Sequence, residues 1–534
     1  MKLILAMLVI TLLAARGDEK TYRNPIVRGD WSDPGVVRVG EDYYSTCSTN
    51  GWQPGIPIIH SRDLVHWRYI GHAFASNPHL QTAVTGGGVY GLEMDYNPNT
   101  KMFMIYAPLS NRELYVYYAP RPEGPYEVKH LGKLGIDPGF FVDTDGRVYL
   151  VMYDGKIHEM AKDGLSIVRQ VTKIDTSRYK FFEGPDLIRR KDWYYLLYSD
   201  GGTRPHQPST VSVLRARKLE GPWEEDPGNP VLFATDDGSP LQGPAHGTLI
   251  ETQNGEWFVT FHAHELSHYS LGRPMCMEPV EWTADGWWRP THGKVPRVTG
   301  VRPNLPACDF ALAQTDEFDS KKLGLQWFFH TRPADRGAES WSLAERPGWL
   351  RVQARPGIPI ESGVLPAVFL QRVIDKKFQV TTRLSFDAAA PGHAAGLTLY
   401  HDPGMNIWLT TANREGKKVI EVGKTNNGER AVLWTADNSI GNDVHLRIAV
   451  DGEESASFSF GADGKEWTRL GESIYFGDSW QDLRNGRKGD PDLGWVGIKK
   501  RNAWSATAFG VFAVRGAEEK SGPADFDFLR VRTP

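Results

Sequence analysis

Short runs in which aromatic and β-branched residues alternate with polar ones recur along the whole chain, broken by Gly, Pro, Asn and Asp, and long helical periodicities are nearly absent. Alternation with a period of two predicts β-strands. Five runs share one form, a turn residue or charged pair followed by an aromatic-rich strand: Glu41–Ser45, Lys101–Tyr106, Asp145–Leu150, Lys191–Leu196 and Asn254–Val259. Their second aromatics (Tyr44, Phe103, Tyr149, Tyr195, Phe258) lie 46 to 63 residues apart. That period is close to the length of a propeller blade. Each run is expected to be the second strand of a four-stranded blade, so residues 22–297 read as a five-bladed β-propeller. A Pro-rich stretch follows, and 298–314 reads as an extended linker lying along the first domain. From 315 to 534 the pattern shifts to many short alternating strands, such as Trp349–Val352, Gly396–Tyr400 and His445–Val450. These predict a two-sheet β-sandwich.

The repeat register also locates chemistry. Eleven or twelve residues before the second aromatic stand Asp33, Asp137, Glu183 and His246. The second unit departs from this, with Gly91-Leu92 at that place and Glu93 next. In a blade, the strand before the second one lines the central axis, so polar groups from four blades converge on one channel. Taken singly, Ser32-Asp33-Pro34, Ile136-Asp137-Pro138 and Glu183-Gly184-Pro185 would only mark turns. In register across three repeats they form a set of carboxylates, which is costly to bury without a task or a cation.

Composition narrows the field. The net charge is −4 over 534 residues with no long Lys/Arg run, so nothing points to nucleic acid or an anionic membrane. Residues 1–18 combine Lys2, a short apolar run and small residues, as in a secretory signal peptide. That expectation places the protein outside the cytoplasm, secreted or periplasmic, with no membrane span. Three cysteines (Cys47, Cys276, Cys308) are too few for a disulfide scaffold, and thiols are expected, although one pair could bridge. Aromatics are plentiful, with 18 Trp, 20 Tyr and 23 Phe, which suits both β-structure and stacking on sugar rings.

Two Asp and one Glu suffice to cleave a glycosidic bond. One carboxylic acid protonates the leaving oxygen, a carboxylate opposite serves as base or nucleophile, and a third keeps the acid protonated. In the order Asn24-Pro25-Ile26, Ser32-Asp33-Pro34, Ser61-Arg62-Asp63-Leu64, Asp137-Pro138, Glu183-Gly184-Pro185, His246-Gly247 and Leu271-Gly272-Arg273, the chain resembles glycoside hydrolase family 43. The resemblance covers nearly all of 22–297. It implies an inverting, exo-leaning enzyme that releases terminal α-L-arabinofuranosyl or β-D-xylosyl units, with arabinose- or xylose-containing glycans as its partners. It implies Asp33 as general base, Asp137 as the residue orienting the acid and raising its pKa, and Glu183 as general acid. Arg273 matches an arginine that binds sugar hydroxyls. Trp52 matches an aromatic bordering the sugar. His246 matches an axial histidine associated in some relatives with calcium or water. The resemblance extends to the second half, which is similar to the lectin-like, concanavalin-type jelly roll of many members. Trp504 and Phe509 are candidates there for the pocket rim.

One segment departs from the family pattern. Relatives often carry Trp-Ala-Pro where this chain has Tyr90-Gly91-Leu92-Glu93, so Tyr90 and Glu93 are the expected determinants of substrate choice. The chemistry requires no cofactor. A structural calcium ion could be shared by Glu317 and Asp527, in acidic turns near the two ends of the sandwich. Two other classes fit parts of the pattern: a carbohydrate-binding propeller without catalysis, and a retaining five-bladed enzyme acting on fructans.

Overall fold

In the computed structural model, each of the five repeated runs forms the second strand of an antiparallel blade. The structure describes residues 20–75, 88–109, 111–202, 208–234, 238–330, 341–356, 367–402, 405–426, 429–477, 506–515 and 522–534. The expected signal peptide and Trp504 lie outside these residues. The innermost strands are Gly35–Val39, Glu93–Asn97, Gly139–Val142, Phe182–Arg190 and Leu241–Glu251. They neighbour one another in that order, and the fifth returns to the first, closing the ring. The chain's start laces this closure: Thr21–Arg23 pairs with Thr299–Val301, and Val27 bridges Met275 of the last blade. The Asn24 side-chain amide also donates to the Met277 carbonyl at 2.8 Å.

Strands in the middle of a blade, such as Met102–Pro108 and Trp257–Glu265, are buried at nearly every position, because neighbouring blades cover both faces. Outermost strands such as Glu127–Lys133 are largely exposed. The second half obeys a different rule. Lys377–Ser385 and Asp443–Asp451 alternate strictly between buried and partly exposed positions, because only one face of their sheet meets the core. Two sheets, of nine and seven strands among the described residues, enclose that core. Val380, Leu384, Leu446 and Ile448 of one face Leu397, Leu409, Val422 and Val511 of the other. Phe509 belongs to this core rather than to any rim.

The two domains are tied together by polar and aromatic contacts. Glu265 is paired with Arg28 at 3.2 Å and with Lys376 at 3.0 Å. Glu454 accepts the Ser270 backbone N–H at 3.0 Å and its hydroxyl. Arg372 donates to the Asp30 carbonyl at 3.1 Å. The connecting stretch runs along the first blade: Arg302 and the Cys308 N–H both donate to Asp63, at 2.9 and 3.1 Å. Cys47, Cys276 and Cys308 are all free thiols. Among the described residues no helix is long and apolar enough to cross a membrane.

Glu317 and Asp527 are each met by an arginine. Both oxygens of Glu317 accept from Arg530 at 2.7 Å, and Asp527 faces Arg383 at 3.5 Å. An arginine already supplies the positive charge that each acid lacked in the sequence.

Candidate active site

Five residues at equivalent places on the inner strands take up left-handed backbone conformations: Asp33, Gly91, Asp137, Gly184 and His246, with φ of 53°, 59°, 50°, 55° and 50°. This corrects the register drawn from the aromatic spacing. The residue equivalent to Asp33 and Asp137 in the fourth blade is Gly184, and Glu183 stands one position earlier. The second blade, which looked irregular, keeps the pattern through Gly91. Left-handed conformations are costly for residues with a Cβ, so Asp33, Asp137 and His246 are held there by their surroundings.

Asp33 is the best-connected member. The Arg273 guanidinium donates to Oδ1 at 2.6 Å and to Oδ2 at 3.4 Å. The Ser48 hydroxyl donates to Oδ2 at 2.6 Å, and the Gly91 N–H reaches Ser48 at 2.8 Å. The His262 ring lies 3.3 Å from Oδ1 and accepts the Asp33 backbone N–H at 3.1 Å. Burial alone would raise the Asp33 pKa, but Arg273, the two histidines His246 and His262, and the Ser48 hydroxyl drive it far below the usual carboxylate range. These contacts favour the ionised form of Asp33. Arg273 reaches it because a short 3-10 turn at Tyr269–Leu271 and a left-handed Gly272 (φ 71°) lead the chain inward.

Glu183 has the opposite environment. It is 5% exposed, and its Oε1 has no hydrogen-bond partner. Burial, followed by the charges of Asp137 and Asp33, pushes its pKa well above the ordinary value. Asp137 is raised to about 6, by burial first and by Asp33 second, with His246 and the Gly184 N–H (3.2 Å) opposing. His246 lies between the acids, with Nε2 3.6 Å from Asp33 and 3.9 Å from Asp137, and its ring stacks on that of His262 at 5.3 Å. Asp137, Glu183 and His246 present ligand atoms within 4.8 Å of one another. A calcium ion held by all three would need Glu183 ionised, against the proton retained there.

The remaining expected site residues are placed differently. Glu93 lines a small polar pocket together with Asp33, Asp137, Asp186 and His246. Its carboxylate lies against Gly35, where a Cβ would come within 3.3 Å of it. Removal from water and then the charges of Asp186 and Asp95 raise its pKa well above normal. Tyr90 is partly buried beside Gly91. Trp52 is 5% exposed, and its ring packs on Phe328 at 4.9 Å and Tyr400 at 6.2 Å, in the seam with the second domain. Ser48 and His262 were missed in the sequence. Their trace was a polar residue following an aromatic strand, in Cys47-Ser48-Thr49-Asn50 and in Phe261-His262. Gly91 was noticed only as a departure.

A buried carboxylate fixed by an arginine and a buried carboxyl kept protonated, on one propeller axis, define a glycoside-cleaving enzyme. Comparison with known proteins agrees. Residues 22–288 match glycosyl hydrolases family 43, and residues 315–532 match the beta xylosidase C-terminal concanavalin A-like domain. The chain belongs to glycosyl hydrolase family 43. It is 30% identical over 507 residues to a xylan 1,3-beta-xylosidase of a Vibrio species, covering 85% of this chain and 91% of that one. It is 30% identical over 425 residues to a non-reducing end alpha-L-arabinofuranosidase of Bacteroides ovatus, covering 76% and 79%. The crystal structure of a family 43 protein of Bacillus licheniformis superposes with a TM-score of 0.86 at 28% identity, over 96% of this chain and 99% of that one.

Proposed function

We propose that this glycosidase acts from chain ends, with inversion, and removes terminal β-D-xylosyl or α-L-arabinofuranosyl units from plant cell-wall glycans. The observation that carries the reading is the contrast in surroundings between Asp33, bonded by Arg273 and the Ser48 hydroxyl at 2.6 Å each, and Glu183, buried with its Oε1 unpartnered, where burial and the neighbouring acids raise its pKa. Relatives named as a xylosidase and an arabinofuranosidase support the sugar class. In this mechanism Asp33 takes a proton from water as the water attacks the anomeric carbon, and Glu183 gives its proton to the leaving oxygen. Arg273 fixes Asp33 through hydrogen bonds to both carboxylate oxygens. Breaking such a buried pair by removing one partner typically costs about 3–5 kcal/mol. Asp137 keeps the Glu183 proton in place.

Proton NMR of the first-formed sugar tests the mechanism, with nitrophenyl β-D-xylopyranoside and α-L-arabinofuranoside as substrates. Inversion of the anomer is expected, and retention would overturn the proposal. Asp137→Asn adds a pH test. Asp137 raises the Glu183 pKa, so its neutralisation lowers that pKa. The alkaline limb of the kcat/KM profile then moves to lower pH.

A further inference from the structure

The pair of Asp33 and Arg273 joins the first blade to the fifth, across 240 positions of chain. The second domain grips both segments that lead into it. Before Asp33, the Arg372 guanidinium donates to the Asp30 carbonyl at 3.1 Å. The Val373 carbonyl lies so close to Gly29 that a Cβ there would come within 2.3 Å of it. Before Arg273, the turn Tyr269–Leu271 reaches into the sandwich. Leu271 is 4% exposed and joins Val373, Phe378 and Val450 in the sandwich core. The Thr507 N–H donates to the Ser270 carbonyl at 2.8 Å. At Gly272 the two grips meet: a Cβ there would lie 3.0 Å from both Ala506 and Asp30.

Glu454 completes this grip. It stands in the hairpin between the strands Asp443–Asp451 and Ser455–Gly461. Its Oε1 accepts the Ser270 backbone N–H at 3.0 Å and the Ser270 hydroxyl. In the same hairpin, the Gly452 carbonyl accepts from His268 Nε2 at 2.7 Å. Glu454 is buried and left-handed (φ 54°), a costly state for a residue with a Cβ. Its Oε2 lies against Gly477, where a Cβ would come within 2.3 Å of it. Turn formation alone favours glycine or asparagine at such a position. The carboxylate instead serves a residue of the other domain, three positions before Arg273.

We propose that Glu454 is a positioning residue for the catalytic base: through Ser270 it sets the turn that carries Arg273, and so the contact of Arg273 with Asp33. This rests on the reading of Asp33 as the base. The charged and titratable groups facing Asp33 are Arg273, His246, His262, Asp30, Asp137 and Glu183. Arg273 is the one that the Ser270 turn carries. Glu454 itself is faced by His268 and Lys376.

The test is the pH profile of kcat/KM for the full chain on a nitrophenyl xyloside or arabinoside. In Glu454→Ala the turn loses its anchor, Arg273 draws back from Asp33, and the Asp33 pKa rises. A base acts only when ionised, so the acid limb moves to higher pH, by about one unit. A misplaced base also lowers kcat by at least about tenfold, with KM little changed. Ser270→Ala deletes only the hydroxyl and moves the limb the same way by less. Glu454→Gln keeps an acceptor oxygen for Ser270 and recovers most of the parent profile. Arg351→Gln breaks a pair inside the sandwich, with Asp525 at 2.8 and 2.9 Å, and reports a purely structural loss: Tm falls and the limb stays in place. An acid limb unmoved in Ser270→Ala and Glu454→Ala overturns the proposal, as does an equal shift in Arg351→Gln or no recovery in Glu454→Gln. The anomer released by the parent tests the reading of Asp33 separately. Retention removes that reading, whereas an unmoved limb in an inverting enzyme removes only the role of Glu454.

Discussion

Replacement of Glu183 by glutamine lowers kcat for xylosides or arabinosides with poor leaving groups by about 10²–10⁴-fold, the usual contribution of a general acid. Glutamine keeps the shape of the side chain and has no proton to transfer to the leaving oxygen. The loss shrinks as the leaving group becomes more acidic, because a nitrophenolate departs with little protonation. A series of aryl glycosides therefore gives a steeper dependence of log kcat on leaving-group pKa in the variant than in the parent. The alkaline limb of kcat/KM also disappears, since Glu183 no longer titrates. A uniform loss across the series would remove Glu183 from the acid's role.

The second large effect is expected at a residue with no functional group. A Cβ on Gly91 would lie 1.8 Å from Asp137 Oδ1. In Gly91→Ala the carboxylate of Asp137 must move, and with it the group that keeps Glu183 protonated. The Gly91 N–H that braces Ser48 against Asp33 shifts too. A misplacement of about 1 Å at reacting groups can cost about 10²-fold in rate, and a loss of at least that size is expected. The left-handed backbone (φ 59°) adds about 1–2 kcal/mol of strain. Gly40→Ala separates the two effects. Gly40 is also left-handed (φ 66°), but an added Cβ would meet nothing within 4 Å. That variant loses comparable stability and keeps its kcat; if both variants lose kcat equally, the cause is strain rather than displacement of Asp137.

Gly91 also shows why the site was only partly legible. The sequence reading found Asp33, Asp137, Glu183 and His246 because their distance from a blade's aromatic strand is local information. It misjudged the fourth blade by one residue, because a bulge between Glu183 and Asp186 shifts the inner strand there. Trp52, matched by resemblance to an aromatic bordering the sugar, packs its ring on Phe328 and Tyr400 of the second half, contacts that no local pattern records. Ser48, His262 and Gly91 act on Asp33 from three different blades, and no local pattern records such a meeting.

The alternation of aromatic runs, their spacing and the switch to short strands after residue 315 determine the two all-β domains and put carboxylates on the propeller axis, because strand period and turn chemistry act over a few residues. Tertiary structure alone decides which carboxylate is charged. Arg273 lies 240 positions from Asp33 in the chain, and the burial that keeps Glu183 protonated exists only once the blades close around it. Charge state depends on distance and desolvation, which the folded chain creates and the sequence does not state.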